Sequence, residues 1–317
     1  MGVSVTRRRM LAGLGGLAGL AACGRVATPT GEVEVPAREP GTPDPRPLAY
    51  GGDPAQYGVL HLPPGAGPVP VVVVVHGGYW RASYGLELGT PLAVDLTNRG
   101  IAAWNIEYRR VGAGGGWPAT FADVAAAVDL LPGEVQKAAG ARLDLDRVVM
   151  LGHSAGGHLA AWSASRARLP DGTVAPQPRV RPVGTVAQAG VLDLVAAADQ
   201  DLGGGAVVDL LGGTPITVAG RYALGSPAAL VPATGPVVCV HGDADTVVPL
   251  DRRPAGPVAA LRRGGEGRAG RGAPARAARR RPLRGDRSRS SRLGGRARGG
   301  RGSAVSGTTV PPGVGLR

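Results

Sequence analysis

The side chain in this sequence best set up for covalent chemistry is Ser154, in the run Gly152-His153-Ser154-Ala155-Gly156. An apolar stretch, Val148 to Leu151, leads into it, and a small-residue helical pattern follows from Ala155. A serine between glycines where a strand meets a helix is the pattern of a nucleophile elbow. The glycines leave room for a strained turn, and the hydroxyl stands clear at the C-terminal edge of a sheet. The chemistry is attack on a carbonyl carbon, and a serine needs a base to take its proton. The histidines available are His61, His76, His153, His158 and His241. His158 lies one turn into the following helix, so it points beside the elbow rather than across from it and reads as a packed or pocket-lining residue.

The elements that must position Ser154 follow from the apolar patterns. Tyr57 to Leu62 reads as a strand and Pro63 to Gly67 as a turn. Val69 to Val75, nearly all valine, reads as a strand buried on both faces, as in a parallel sheet. Leu86 to Asn98 is an amphipathic helix closed by Gly100, and Ile101 to Glu107 is the next strand. A helix opened by Trp117-Pro118 runs through Leu131 with Asp123 and Asp129 on its solvated face. Arg147 to Leu151 is the strand before Ser154, and Ala155 to Ala167 the helix after it. Val183 to Ala189 is a further strand, Gly190 to Gly225 supplies short helices that cap a pocket, and Pro236 to Val240 is a last buried strand. Cys239 in that strand reads as a small buried hydrophobe, with no disulfide expected. Strands alternating with helices predict an α/β domain over residues 48–250, with a mostly parallel central sheet flanked by helices.

Several motifs in this order resemble the esterase/lipase branch of the α/β-hydrolases, with acetylxylan-esterase-like, feruloyl-esterase-like and kynurenine-formamidase-like domains the nearest in pattern. They are His76-Gly77-Gly78-Tyr79-Trp80 after the valine strand, Asn105 to Arg110 (N-x-x-Y-R within it), the Ser154 pentapeptide, Leu210 to Gly213, Ser226 to Leu230, and His241-Gly242-Asp243-Ala244-Asp245 running on to Pro249. The resemblance covers about residues 48–250, roughly two thirds of the chain. It implies acyl transfer to water through a seryl ester, with no cofactor and no metal. By the same match Ser154 is the nucleophile and Asp245 the triad acid, with Asp243 a supporting carboxylate. Gly77, Gly78, Tyr79 and Ala155 form the oxyanion hole, whose backbone N–H groups face the developing charge. His76 orients its loop rather than acting as a base, and Glu107 with Arg109 forms an internal ion pair. The implied function is hydrolysis of a small-molecule ester. An arylformamidase-like amidohydrolase and a non-catalytic, ligand-binding lipoprotein are the alternatives.

The two ends of the chain differ from this body. Thr6-Arg7-Arg8-Arg9-Met10-Leu11 precedes a short apolar segment that ends Leu20-Ala21-Ala22-Cys23. This resembles a twin-arginine signal over residues 1–23 finishing in a lipobox, with Cys23 the lipidated residue and the membrane a partner through that anchor. Twelve apolar residues are too few to span a bilayer as a helix. Ordinary signal cleavage near Ala22, giving a secreted protein, is the alternative. Residues 24–47 are rich in Pro, Gly and charge without period, which predicts a flexible linker from membrane to domain. Net charge is +13, yet residues 251–317 alone hold 18 arginines against three acids. The first 250 residues are therefore close to neutral, which argues against nucleic acid as a partner.

A triad of this order needs a histidine after the acid. All five histidines precede Asp245. Residues 251–317 carry no histidine, aromatic residue or lysine and no apolar period, so they read as an Arg/Gly-rich disordered tail in place of the fold's last strand and helix. Two readings of this composition compete: an Arg/Gly tail that binds nucleic acid or anionic lipid, although such tails usually carry stacking aromatics and follow a complete domain, and a shifted reading frame in GC-rich coding sequence. L-P-G-A-D-H-F, the usual surroundings of the catalytic histidine in the esterases this chain resembles, continued as A-V-I-D, written in codons ending in C or G and read one base early, becomes A-R-R-R-P-L-R-G-D-R. That string stands at Ala278 to Arg287. Resequencing the coding DNA is expected to return a frame that restores a histidine at about Pro282; an unbroken frame in independent reads overturns this reading.

Overall fold

A computed structural model of the protein describes residues 34–249. Residues 1–23, including Cys23, the first part of the expected 24–47 linker and residues 251–317 lie outside the described residues. Seven strands form one mixed sheet: β1 (Arg46–Ala49), β2 (Tyr57–His61), β3 (Val69–Val75), β4 (Ala102–Ile106), β5 (Leu143–His153), β6 (Gly184–Gln188) and β7 (Val237–Val240). Their spatial order is β1-β2-β4-β3-β5-β6-β7. The β1–β2 and β2–β4 pairs are antiparallel and the other four pairs parallel. The helices are α1 (Thr90–Asn98), α2 (Ala119–Asp129), α3 (Gln136–Ala138), α4 (Ala155–Ser165), α5 (Leu194–Asp199), α6 (Ala206–Leu211) and α7 (Ala219–Gly225). This is the α/β-hydrolase architecture expected from the pattern.

The valine run shows why the sheet sits where it does. Side chains alternate between the faces of a strand, and in β3 both faces are buried. Val71, Val73 and Val75 join Trp104, Phe121 and Trp162 in the larger core, while Val72 and Val74 meet Ala93, Ala103 and Leu151 in a smaller one. Helix α1 covers the second face through Ala93, Leu92 and Leu96, and α2 and α4 cover the first. The sheet is thus a middle layer, and its most central strands, β3 and β5, deliver their C-terminal ends to one edge.

Three expectations need correction. Asp123 and Asp129 do not form a solvated face of α2: they are 1% and 8% exposed. Helix α2 is buried on nearly every side, so the 3.6-residue period could not single out its polar positions. Asp123 accepts hydrogen bonds from the Arg109 backbone N–H at 2.9 Å and from its guanidinium Nε and Nη2, both at 2.8 Å. Asp129 accepts from buried Arg166 at 2.7 Å and from the Arg179 N–H at 3.0 Å. Second, the boundary expected between linker and domain at residue 48 falls inside β1. Upstream of that strand, Ala37 and Glu39 are tied to Asn98 at the end of α1 by bonds of 2.8 and 3.1 Å.

Third, β7 is not buried and Cys239 is exposed. A run of four apolar residues reads as a core strand, but β7 is the outermost strand among the described residues, where burial depends on what lies beyond it.

The buried Asp129–Arg166 pair generates a prediction. Removing one partner leaves an uncompensated charge in the core, which costs about 3–5 kcal/mol. Asp129→Ala is therefore expected to lower the urea midpoint strongly. The same truncation at Asp44, whose partner Arg38 holds it out in water, is expected to leave the midpoint unchanged.

Candidate active site

The parallel strands β3, β5, β6 and β7 all end on the same edge, so the loops that follow them converge. Ser154 follows β5 with φ 54° and ψ −120°, a conformation L-residues rarely adopt. It is held there from both sides: the Ser154 N–H donates to Gln188 O at the end of β6 at 2.8 Å, and the His158 N–H donates to Ser154 O at 3.1 Å. The turn is compressed to the limit of backbone contact. A Cβ at Gly156 would collide with the carbonyls of Val75 and His76, and one at Gly152 with the backbone of Gly156. The strand–turn–helix expected around Ser154 therefore forms, and the flanking glycines are sterically required.

The loop after β3 lies against this turn. A Cβ at Gly77 would stand 2.7 Å from His153 O and 3.4 Å from the Ser154 Cβ, so Gly77 and Ser154 are neighbours. Gly78, Tyr79 and Trp80 follow with φ of 110°, 54° and 57°. Three successive positive φ values turn the chain sharply, and two of them fall on aromatic residues, where the strain must be offset by surrounding contacts. Trp80 provides one: it is buried, and its indole Nε1 donates to His158 Nδ1 at 3.2 Å. The N–H groups of Gly78 and Tyr79 have no acceptor among the described residues.

Beneath the loop lies a buried charge cluster. His76 is stacked on Tyr108 with ring centroids 4.3 Å apart. Its Nε2 is 2.9 Å from Glu107 Oε1 and its Nδ1 is 2.8 Å from Gly77 O, while the Tyr108 hydroxyl donates to His76 O at 2.9 Å. Glu107 also accepts from the N–H groups of Leu86 and Tyr108 and faces Arg110 at 3.4 Å. Burial alone would raise the Glu107 carboxyl, but the His76 hydrogen bond and charge and the two backbone N–H groups outweigh it and hold the group below the usual carboxylate range. His76 thus orients its loop. The expected Glu107–Arg109 ion pair does not form: Glu107 pairs with His76 and Arg110, and Arg109 turns to Asp123.

Asp245, in the loop after β7, accepts the N–H groups of Val247 and Val248, both at 2.9 Å. The Val248 bond, then Val247 and the charges of His241 and His153, hold its carboxyl below the ordinary range against the opposing effect of burial. Asp245 itself shapes the loop, whereas Asp243, expected to support it, is exposed. His241 Nε2 donates to Val248 O at 2.7 Å and lies 3.5 Å from Asp245. The other histidines are engaged elsewhere. His158 is sealed in the core between Trp80 and Gly225 O, and His61 is buried on β2. His153 is exposed beside Ser154. Among the described residues no histidine hydrogen-bonds the Ser154 hydroxyl, no cluster of His, Cys, Asp or Glu could hold a metal ion, and no helix is long and apolar enough to cross a membrane.

The sequence matches the BD-FAE family over residues 60–254. It is 32% identical over 117 residues to a probable isoprenylcysteine alpha-carbonyl methylesterase of Arabidopsis thaliana, ICMEL1, covering 37% of this chain and 24% of that protein. A second such protein, ICMEL2, is 31% identical over 117 residues, 37% of this chain and 26% of its own. The chain thus spans about a quarter of the length of the curated relatives it matches. Among solved structures, a bifunctional GH43-CE of Bacteroides eggerthii superposes with a TM-score of 0.54 at 25% identity, over 64% of this chain and 31% of that one. Esterase B from Lactobacillus rhamnosis shares the fold, with a TM-score of 0.53 at 21% identity over 66% of this chain and 67% of that one.

The sealed His158 has a measurable consequence. Its Nδ1 accepts from Trp80, so Nε2 carries the proton and donates to Gly225 O at 2.9 Å. Burial pushes its pKa down to about 4, against about 6.5 in the unfolded chain. The unfolded state then binds more protons between those values. Stability is full above about pH 6.5 and is lost as pH falls toward 4, at up to about 1.4 kcal/mol per unit. His61, also pushed down to about 4 by burial and by the charge of Arg38, adds to the slope. Urea unfolding across this range is expected to show the loss, and His158→Gln to make the slope shallower.

Proposed function

The chain belongs to the BD-FAE family, an esterase family of α/β-hydrolase fold, and on that premise we propose that it is built as a serine carboxylic-ester hydrolase with Ser154 as nucleophile. The observation that carries this reading is the contact between the Gly77 loop and the strained turn at Ser154. In this reading the N–H groups of Gly78 and Tyr79, which have no acceptor among the described residues, and that of Ala155 serve as the oxyanion donors. In the reaction Ser154 Oγ would bond to the ester carbonyl carbon while its proton passes to a base. The oxygen that becomes negative would be met by the three N–H groups, and collapse would expel the alcohol and leave an acyl-serine for water to hydrolyse. Asp245 is the triad acid in this scheme, with a carboxyl held in its ionised form.

The scheme lacks its base. The sequence has no histidine beyond Asp245, and among the described residues none of the five hydrogen-bonds the Ser154 hydroxyl. The proposal therefore includes impairment. The oxyanion donors and acid are retained while proton removal from Ser154 is unassisted. Loss of the histidine in a comparable triad costs on the order of 10⁶ in turnover. The substrate is a small ester; a formamide is the alternative, and the choice rests with pocket residues. The Cys23 motif supports an exported lipoprotein held at the membrane by acylation.

Hydrolysis of p-nitrophenyl acetate by this chain is expected to be slower than that of an intact enzyme by about 10⁶, with no further loss in Ser154→Ala. A chain carrying the restored histidine is expected to regain a Ser154-dependent rate, and acetyl, feruloyl and formyl substrates then rank its specificity. Turnover by the present chain at an intact enzyme's rate overturns the impairment. A restored chain that stays inactive on every substrate, yet is stabilised by ester ligands, overturns the catalytic reading in favour of a binding protein.

A further inference from the structure

β7 differs from every inner strand of the sheet. Val71 to Val75 of β3 are buried on both faces, whereas Val238 and Val240 are 44% and 52% exposed and Cys239 between them is exposed as well. Two hydrogen bonds fix how the strand is turned. Thr185 N–H donates to Pro236 O at 2.9 Å, and Ala189 N–H donates to Val240 O at 2.7 Å. The even-numbered residues therefore spend their backbone groups on β6. In an extended strand the direction of these groups alternates, so Val237, Cys239 and His241 turn N–H and C=O to the outer edge. Among the described residues nothing lies there. An apolar strand with an open ladder is a template for another strand.

We propose that β7 is a self-association surface, on which the β7 of a second copy of this chain pairs antiparallel about a two-fold axis at Cys239. The composition favours this occupant over the chain's own remainder. Residues 251–317 hold 18 arginines, no aromatic residue and no alternating apolar run, so they offer no valine-rich strand to cover Val238 and Val240. A second copy offers Val-Val-Cys-Val itself. Centred on Cys239, the pairing is isologous. The two Cys239 residues exchange both of their backbone hydrogen bonds, and Val237 pairs with His241 of the other copy on each side. Val238 then faces Val240 of the other copy in the closer, non-hydrogen-bonded type of pair, twice by symmetry, so four exposed valines cover one another on one face. The two sheets become continuous, and the inference is independent of any catalytic role for Ser154.

The test uses the full chain with Cys23→Ser, leaving Cys239 as its sole thiol. Sedimentation over a concentration series is expected to show a discrete dimer of doubled mass, and mild oxidation to cross-link it through Cys239. Val238→Lys with Val240→Lys is expected to give a folded monomer that no longer cross-links. Should that variant fail to fold, amide exchange of the unmodified strand decides. The Cys239 N–H is expected to be protected at high concentration and to lose protection on dilution, while the Val238 and Val240 N–H groups, bonded to β6, stay protected throughout. A monomer at every concentration, aggregates without a discrete dimer, a dimer unaffected by the lysines, or Cys239 protection that persists in a monomer each overturns the proposal.

Discussion

The backbone of the first turn of α4 rests directly on the carbonyls that end β3, and only glycine at 156 permits it. From that contact the rest of the site follows. It forces the helix to begin beneath the sheet edge and presses Ser154 into a left-handed conformation. It also brings the Gly77 loop within van der Waals reach of the Ser154 side chain. Such a turn costs free energy, of order 1–3 kcal/mol for a strained residue. What offsets it is the packing of its neighbours: Leu159 and Trp162 of α4 and the inward valines of β3 all belong to one buried core.

A second theme is how this domain buries acids. Glu107, Asp123 and Asp129 are each enclosed, and each is surrounded by donors rather than left as an isolated charge. Two of the three sit on α2, where they tie the helix to the Arg109 segment and to Arg166 at the end of α4. Glu107 instead ties β4 to the His76 loop. These groups act as fasteners between elements, and His76 and Glu107 spend their polar atoms on one another and on neighbouring backbone. The same holds for His158, whose two ring nitrogens join Trp80 to the turn at Gly225.

The far edge of the sheet is where the design is thinnest. The loop of Asp245 is carried by β7, a four-residue strand bonded on one side only among the described residues, and it is secured mainly by its own Val247 and Val248 amides and by His241. Ser154, in contrast, follows β5, a strand with neighbours on both sides. Any strand paired with β7 would therefore steady the Asp245 loop as well as the sheet.

Much of this was legible in the chain itself. The valine run, the G-x-S-x-G pentapeptide, the H-G-G loop and the order of strands and helices are local patterns. They specify a buried parallel strand, a strained turn and an α/β domain because each rests on steric rules acting over a few residues. The absence of a histidine after Asp245 is likewise a property of the sequence alone. Only the tertiary structure decided the partners. Periodicity could not reveal that Asp123 and Asp129 are buried, that Glu107 chooses His76 and Arg110 over Arg109, or that Val238, Cys239 and Val240 are exposed. Burial and pairing are set by residues distant in sequence, and a strand's apolar composition is the same whether its neighbour is present or not.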